Sequence, residues 1–339
     1  MFHARSVVGA LFLLGLCVSL GPSGAAQQAS TPLVLEATIP LPNTRGRIDH
    51  MAVDLRRRRL FVAELGNGTV DAIDLASRQL VHRIDGLSEP QGVGYSPAAD
   101  IIAVAGGGDG SVRLFRGEDF SPTGVVQLGS DADNIRVDRS GRFVIGYGNG
   151  ALAVLDPGSR AVVGETKLPA HPEGFQIDPA GRVVVNVPDA RQIAVVDLAS
   201  GRQLASWRVQ GFGSNFPMAL SSDGHRAASV FRSPPRLVLL DASTGTVVQS
   251  TETCGDADDV FFDERRRRIY VSCGSGSIAV LQDGYGGYRN ISLIPTSSGA
   301  RTSLFVPQLD RLFVARRAGL LGGSGAAILV FRAVDEAAR

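Results

Sequence analysis

Repetition is the strongest constraint on what this chain can fold into. Residues 47–86, RIDHMAVDLRRRRLFVAELGNGTVDAIDLASRQLVHRIDG, hold four short apolar runs, Ile48 to Val53, Leu60 to Ala63, Val70 to Ile73 and Gln79 to Ile84. Gly, Asp, Asn, Ser or Arg bounds each run, which reads as a strand, and no helical periodicity competes. Aligned on Asp54 and the apolar pair after the following turn, the pattern recurs in copies starting near Arg47, Glu89, Asp131, His171, Phe212, Gly255 and Gly299. MAVDLRRRRLFVA (51–63) matches MALSSDGHRAASV (218–230) and VFFDERRRRIYVS (260–272) without a gap, and IRVDRSGRFVIGY (135–147) matches FQIDPAGRVVVNV (175–187).

A unit of roughly forty residues cannot bury its own apolar strands, so the copies must stack; four strands per unit at this period predict a propeller. The expected fold is all-β, a seven-bladed β-propeller of four-stranded antiparallel blades. The unbroken runs FVIGYG, VVVNV and IYVSC agree, because strands packed on both faces need no alternation. The last copy supplies TSLFVP, RLFVAR and AAILVFR and then lacks a fourth strand, whereas PLVLEATIPLP (32–42) is a spare strand ahead of the first copy. Laid on the outside of the last blade, that N-terminal strand closes the ring and removes an exposed edge.

Composition fits this reading. Forty-one Gly, 20% charged residues and 44% hydrophobic residues suit a turn-dense β protein with a large core. With 34 basic and 33 acidic side chains, the net charge of +1 gives no global attraction to nucleic acid. Residues 1–26 read as a secretory signal: a basic start at His3 and Arg5, an apolar run from Val7 to Leu20, and small residues Gly24 to Ala26 for cleavage. The run is short for a membrane span, and Leu16 stands where a lipoprotein site at Cys17 would want a small residue. The expected organisation is a signal peptide (1–26), a short linker (27–31), one propeller domain (32–334) and a tail (335–339). The expected location is periplasmic or secreted, with no stable membrane insertion after cleavage. Cys254 and Cys273 would then remain in an oxidising compartment, too far apart for a CxxC redox pair and open to a structural disulfide.

The blade pattern, clearest in VDLRRRRLFVAELGNGTVDAIDLAS and VSCGSGSIAVL, resembles the bacterial YVTN-type β-propeller repeat family, across essentially all of residues 32–334. The name-giving tetrapeptide is degenerate here, reading FVAE, FVIG, VVVN, IYVS and FVAR. Many members of that family are exported. Related propellers include binding proteins, metal-dependent lactonases and propeller subunits of dehydrogenases, so the resemblance implies architecture and export and no single activity.

The repeat sorts charges by face. Arg56 to Arg59, Arg139, Arg142, Arg182, His225, Arg226, Arg265 to Arg268 and Arg311 fall at the turn between the first two strands of successive blades. The two RRRR runs are therefore expected to be solvated hairpin turns, with no nucleic-acid partner. On the opposite face, just ahead of the inner strands, come Asp49 and His50, Glu89 and Gln91, Asp131, Asp133 and Asn134, His171 and Glu173, Asn215, Asp256, Asp258 and Asp259, and Arg301. They are expected to converge on an acidic channel mouth that binds a small molecule or a protein partner, in the way loops on a rigid scaffold build a site.

Two chemistries compete there. Asn134, Asn215 and Asp259 offer hard oxygen donors for Ca²⁺ or another divalent cation, as in lactonase-type propellers, with His50, His171 or Glu173 as candidate catalytic base. Alternatively the polar ring holds channel water and caps strand ends. Arg301, the one cation of the expected ring, either neutralises Asp258 or Asp49 or holds an anionic ligand. The sequence has no GxSxG, HExxH, CxxCH or Walker motif, and GGGDGS (106–111) reads as a hairpin turn. The leading expectation is a non-catalytic binding scaffold. The alternatives are a cation-dependent hydrolase on the same face and an accessory subunit of a periplasmic redox or envelope complex.

Overall fold

Each repeat copy folds as a meander of four antiparallel strands, and in the computed structural model seven such sheets form a propeller. The structure describes residues 1–3, 31–319 and 324–335. The expected signal segment, linker and tail therefore lie outside the described residues, apart from residues 1–3, 31 and 335. One compact unit begins at Thr31. Blade 1 comprises Met51–Asp54, Arg59–Glu64, Thr69–Asp74 and Gln79–Ile84. Blades 2 to 6 follow with the same order, their inner strands being Pro90–Ser96, Ala132–Val137, Phe175–Ile177, Gly213–Leu220 and Ala257–Asp263.

Blade 7 is built from both ends of the chain. Ser303–Val306, Arg311–Arg316 and Ala327–Ala333 supply its first three strands, and Leu33–Pro40 pairs antiparallel with the last, from Leu33 opposite Ala333 to Pro40 opposite Ala327. The spare strand of the sequence is thus the closing strand of the ring. GGGDGS forms the turn between the second and third strands of blade 2.

The core lies in the seams between blades. In the second strand of blade 1, Leu60 and Val62 pack toward Phe313 and Ile328 of blade 7, while Phe61 and Ala63 pack toward Tyr95, Ile102 and Val104 of blade 2. All four are fully buried, which explains the continuous apolar runs. A buried aliphatic or aromatic side chain contributes about 1.5–3 kcal/mol, so every seam is a strong interface and the ring is held by its repetition. Outer strands largely face solvent, as in Ala161–Lys167. Cys254 and Cys273 form a disulfide, with Cα atoms 5.8 Å apart, that fastens the approach to blade 6 onto its second strand.

The basic turns are not simply solvated, a correction to the sequence expectation. Arg57 pairs with Asp54 of its own turn (2.9 Å) and reaches Asp100 of blade 2 with both terminal guanidinium nitrogens (2.7 and 2.8 Å). Arg266 repeats the arrangement between Asp263 (3.0 Å) and Asp310 of blade 7 (2.8 Å). Arg268 is buried and donates to Gln282 and to the Val334 carbonyl. The runs are hairpin turns, as their place in the repeat requires, but their middle arginines clamp neighbouring blades because Asp100 and Asp310 stand in the matching turn of the next blade.

Candidate functional site

On the face opposite those turns, four inner strands break register at the mouth: between Pro90 and Gly92, Ala132 and Ile135, Asn215 and Met218, and Ala257 and Asp259. A bulge leaves residues unpaired and re-aims their side chains. Here it turns Asp133 and Asn134, Phe216 and Pro217, and Asp258 toward the axis. In blade 1 the regular strand starts only at Met51, three residues later than the apolar run predicts. His50 there donates its N–H to the Gln91 carbonyl of blade 2 (3.2 Å), which brings Asp49 and His50 to the same mouth.

Close backbone approach holds these bulges together. A Cβ on Gly92 would lie 2.0 Å from the Asp133 carbonyl oxygen, and one on Gly174 would lie 2.5 Å from that of Phe216. Only glycine admits the neighbouring strand at those points. Glu89, Asp131 and Asp256, ahead of three inner strands, have φ of 46°, 42° and 58°. Their carbonyls accept from Gly107, Gly148 and Gly274, so part of the acidic column serves the strand approach rather than a ligand.

The result is an axial cavity of ≈ 40 Å³, room for about three waters or one small polar group. Asp49, His50, Asp133, Asn134, Glu173, Asp258 and Asp259 line it, with Arg47, Arg136, Gln176 and Phe216. Asp133 stands between two imidazoles: His50 Nε2 is 3.8 Å from one carboxylate oxygen and His171 Nε2 is 3.7 Å from the other. His171 Nδ1 lies 2.6 Å from the Gly148 carbonyl, which can only accept, so that nitrogen carries a proton. Asp258 pairs with Arg232 and with Arg301 (2.9 Å), and Asp259 accepts from the Ser303 N–H (2.6 Å).

The titration directions combine burial with the charges of close neighbours. Burial pushes the carboxyls of Asp49 and Asp259 well above the ordinary range; the charge of Asp133 adds to the first and that of Asp258 to both. Glu173 is pushed up to about 7, chiefly by burial and then by Asp133. Burial opposes protonation of His171, but Asp133, the Gly148 carbonyl and Asp131 outweigh it and lift the imidazole to about 9. Burial also lowers His50, with Asp133 pulling the other way. Asp133 itself stays below its ordinary value despite burial, because both imidazoles favour its charge.

The mouth departs from the expected acidic ring in its cations. Arg301 is not alone: Arg47 pairs with Asp49 (2.7 Å), Arg232 with Asp258, and Arg136 lies in the cavity wall with its guanidinium 5.5 Å from the Phe175 ring. Arg301 neutralises Asp256 (2.7 Å) and Asp258. Asn215 does not reach the cavity. Its amide donates to Asn186 Oδ1 (2.8 Å) and to the Gln192 carbonyl (3.1 Å) between blades 4 and 5, and the bulge presents Phe216 instead. Gln91 donates to Asp131 Oδ1 (2.9 Å) on the exposed rim.

The expected metal set of Asn134, Asn215 and Asp259 is therefore not assembled, and no group of three His, Cys, Asp or Glu side chains among the described residues has metal-holding geometry. What remains as free binding capacity is specific. Asn134 Oδ1 and Asp133 Oδ1 are buried acceptors without a hydrogen-bond partner. Of the residues that sequence reasoning missed, Arg136 lies just past the bulge at Asp133 and Asn134, where the strand's alternation no longer predicts which face a side chain takes. Arg232 and Phe216 carried no local signal either.

Comparison with known proteins shows the fold alone. No family model matches the chain, and no curated protein matches it. A solved structure of Kuenenia stuttgartiensis hydrazine synthase superposes with a TM-score of 0.74 at 14% identity, over 91% of this chain and 98% of that one. A chain in a crystal structure of a mitotic checkpoint complex gives 0.76 at 12% identity, over 96% and 99%. No helix among the described residues is long and apolar enough to cross a membrane.

Proposed function

We propose that this chain is an exported binding scaffold of the YVTN type, periplasmic or secreted, whose axial mouth takes a cationic, hydrogen-bond-donating group of a small molecule or protein partner without catalysing a reaction. One observation carries this reading: Asp133 and Asn134 line a small cavity walled by further carboxylates, and each keeps a buried Oδ1 without a hydrogen-bond partner. Buried acceptors without donors are costly, and a donor that enters recovers that cost. The raised His171 supports a positive visitor, since Asp133, the Gly148 carbonyl and Asp131 lift it against burial. The volume suits an ammonium tip rather than a whole ligand, so the rest of the ligand or partner would cover the rim. The arrangement of a ring in a checkpoint complex gives an example of this fold in a multi-protein assembly.

The hydrolase alternative would use the same oxygens for a divalent cation, with Asn134 and Asp259 as donors but without Asn215. Thermal melts of the wild type in methylammonium chloride, in calcium with and without chelator, and in sodium chloride of equal ionic strength separate the two. Binding to the folded state alone raises the melting temperature. A saturable rise with methylammonium that Asn134→Leu abolishes is the expected result. A chelator-reversible rise with calcium alone would replace the reading by the metal one, and no rise with either would overturn both.

A further inference from the structure

Beside the mouth, over the seam of blades 6 and 7, runs a groove of ≈ 1000 Å³ with the opposite electrical character. Its polar wall is Arg45, Arg47, Arg316 and Arg317 with the hydroxyls of Thr296 and Ser297, and no carboxylate lines it among the described residues. Its floor is apolar, made by Leu35, Leu329 and Phe331. We propose that this groove is an oxyanion site, taking the phosphate or carboxylate head of an organic anion whose apolar part lies on that floor.

The unmet hydrogen bonds make the case. Among the described residues, Arg47 Nε, Arg317 Nε, Thr296 Oγ1 and Ser297 Oγ are all buried polar atoms without a hydrogen-bond partner, and all four belong to residues of this one groove. Each can donate, and an oxyanion seated in the groove would give these donors an acceptor once their side chains turn toward it. Arg317 has no ion-pair partner among the described residues, whereas Arg316 is held by the Gly325 carbonyl (3.0 and 3.2 Å) and Arg47 by Asp49. Burial, and then the neighbouring charges of Arg301 and Arg47, depress the Arg317 guanidinium, the mark of a cation with too little counter-charge. A guanidinium fork offers two parallel donors to an oxyanion and the two hydroxyls can complete the remaining lone pairs. The apolar floor adds a preference: Leu35 is half exposed, and an alkyl chain that covers it would gain by burial.

The test is calorimetric titration of the full propeller with inorganic phosphate and with butyl phosphate, at constant ionic strength set by chloride. Saturable binding of phosphate, with butyl phosphate several-fold tighter, is expected. Arg317→Gln should weaken both at least tenfold and Arg317→Lys, which keeps the charge but loses the fork, by less. Arg267→Gln is the control: it removes an equal charge from an exposed residue paired with Asp283 on the turn face and should leave both affinities unchanged. Binding that Arg317→Gln leaves intact while the variant melts like wild type, or a wild type that binds neither ligand at millimolar concentration, would overturn the proposal.

Discussion

The two faces of the ring use the same side chains to opposite ends. On the turn face, Asp54, Arg57 and Asp100, and again Asp263, Arg266 and Asp310, form clamps in which the arginine has a carboxylate at 2.7–3.0 Å on each side. At the mouth, Asp49, Asp133, Glu173, Asp258 and Asp259 meet Arg47, Arg136, Arg232 and Arg301, yet buried oxygens of Asp133 and Asn134 remain without a donor. The difference is geometric. A turn clamp links one blade to the next with full partners, whereas bulged inner strands from several blades force like charges together around an axis. Paired charge links the blades at the turns; at the mouth, buried acceptors are left over.

This contrast breaks first at the clamps. Arg266→Ala leaves Asp263, which is only 3% exposed, with Tyr270 and a backbone N–H as its donors. Removing one partner of a buried pair costs about 3 kcal/mol, and denaturant unfolding should show a loss of that order. A loss under about 1 kcal/mol would place the clamp among surface pairs of little worth.

The next largest effect is the pH dependence of the mouth. Glu173 rises from an ordinary 4.5 to about 7, and His171 from 6.5 to about 9. Both bind protons more tightly folded than unfolded, so their contribution is fullest at low pH and is lost as pH climbs through those folded values. Melting temperature should therefore fall between about pH 5 and pH 9, and His171→Asn should flatten the upper half of that slope. Turn-face carboxylates such as Asp100, held low by Arg57, lose stability only at acid pH below the ordinary carboxylate range. A melting profile that is level from pH 5 to 9 would contradict the raised proton affinity of Glu173 and His171.

Smallest of all is Asn134→Ala. Its Oδ1 has no partner to lose and its Nδ2 donates to Asp133 at 3.4 Å, a weak bond. Stability should change by less than about 1 kcal/mol, measured by the same unfolding titration, while methylammonium binding disappears. A large stability loss would make Asn134 a structural residue like Asn215.

Much of this was legible in the residues and the rest was not, for identifiable reasons. The RRRR runs and the Asp49–His50 pair could be assigned to opposite faces because the repeat fixes which turn each occupies. Asn215 could not be placed, since one extra residue in a strand reverses which side chains face the axis, and the sequence around a bulge reads like any other strand. Arg232 was also invisible, because it neutralises Asp258, a carboxylate presented by the next blade. Glu64 shows the same limit: burial pushes it up to about 7 inside a cluster with Thr44, Thr69 and Arg83, a setting its sequence neighbours do not announce.

By itself the sequence determined the seven-fold repeat, the four strands of each unit and the closing of the ring by residues 32–42, because apolar periodicity and turn chemistry are local and their recurrence leaves one way to bury every strand. Only the tertiary structure decided which polar residues meet at the axis, which charges are paired and which donors and acceptors are left over. Those properties depend on bulge register and on contacts between residues as distant as His50 and Asp133, and no local pattern encodes them.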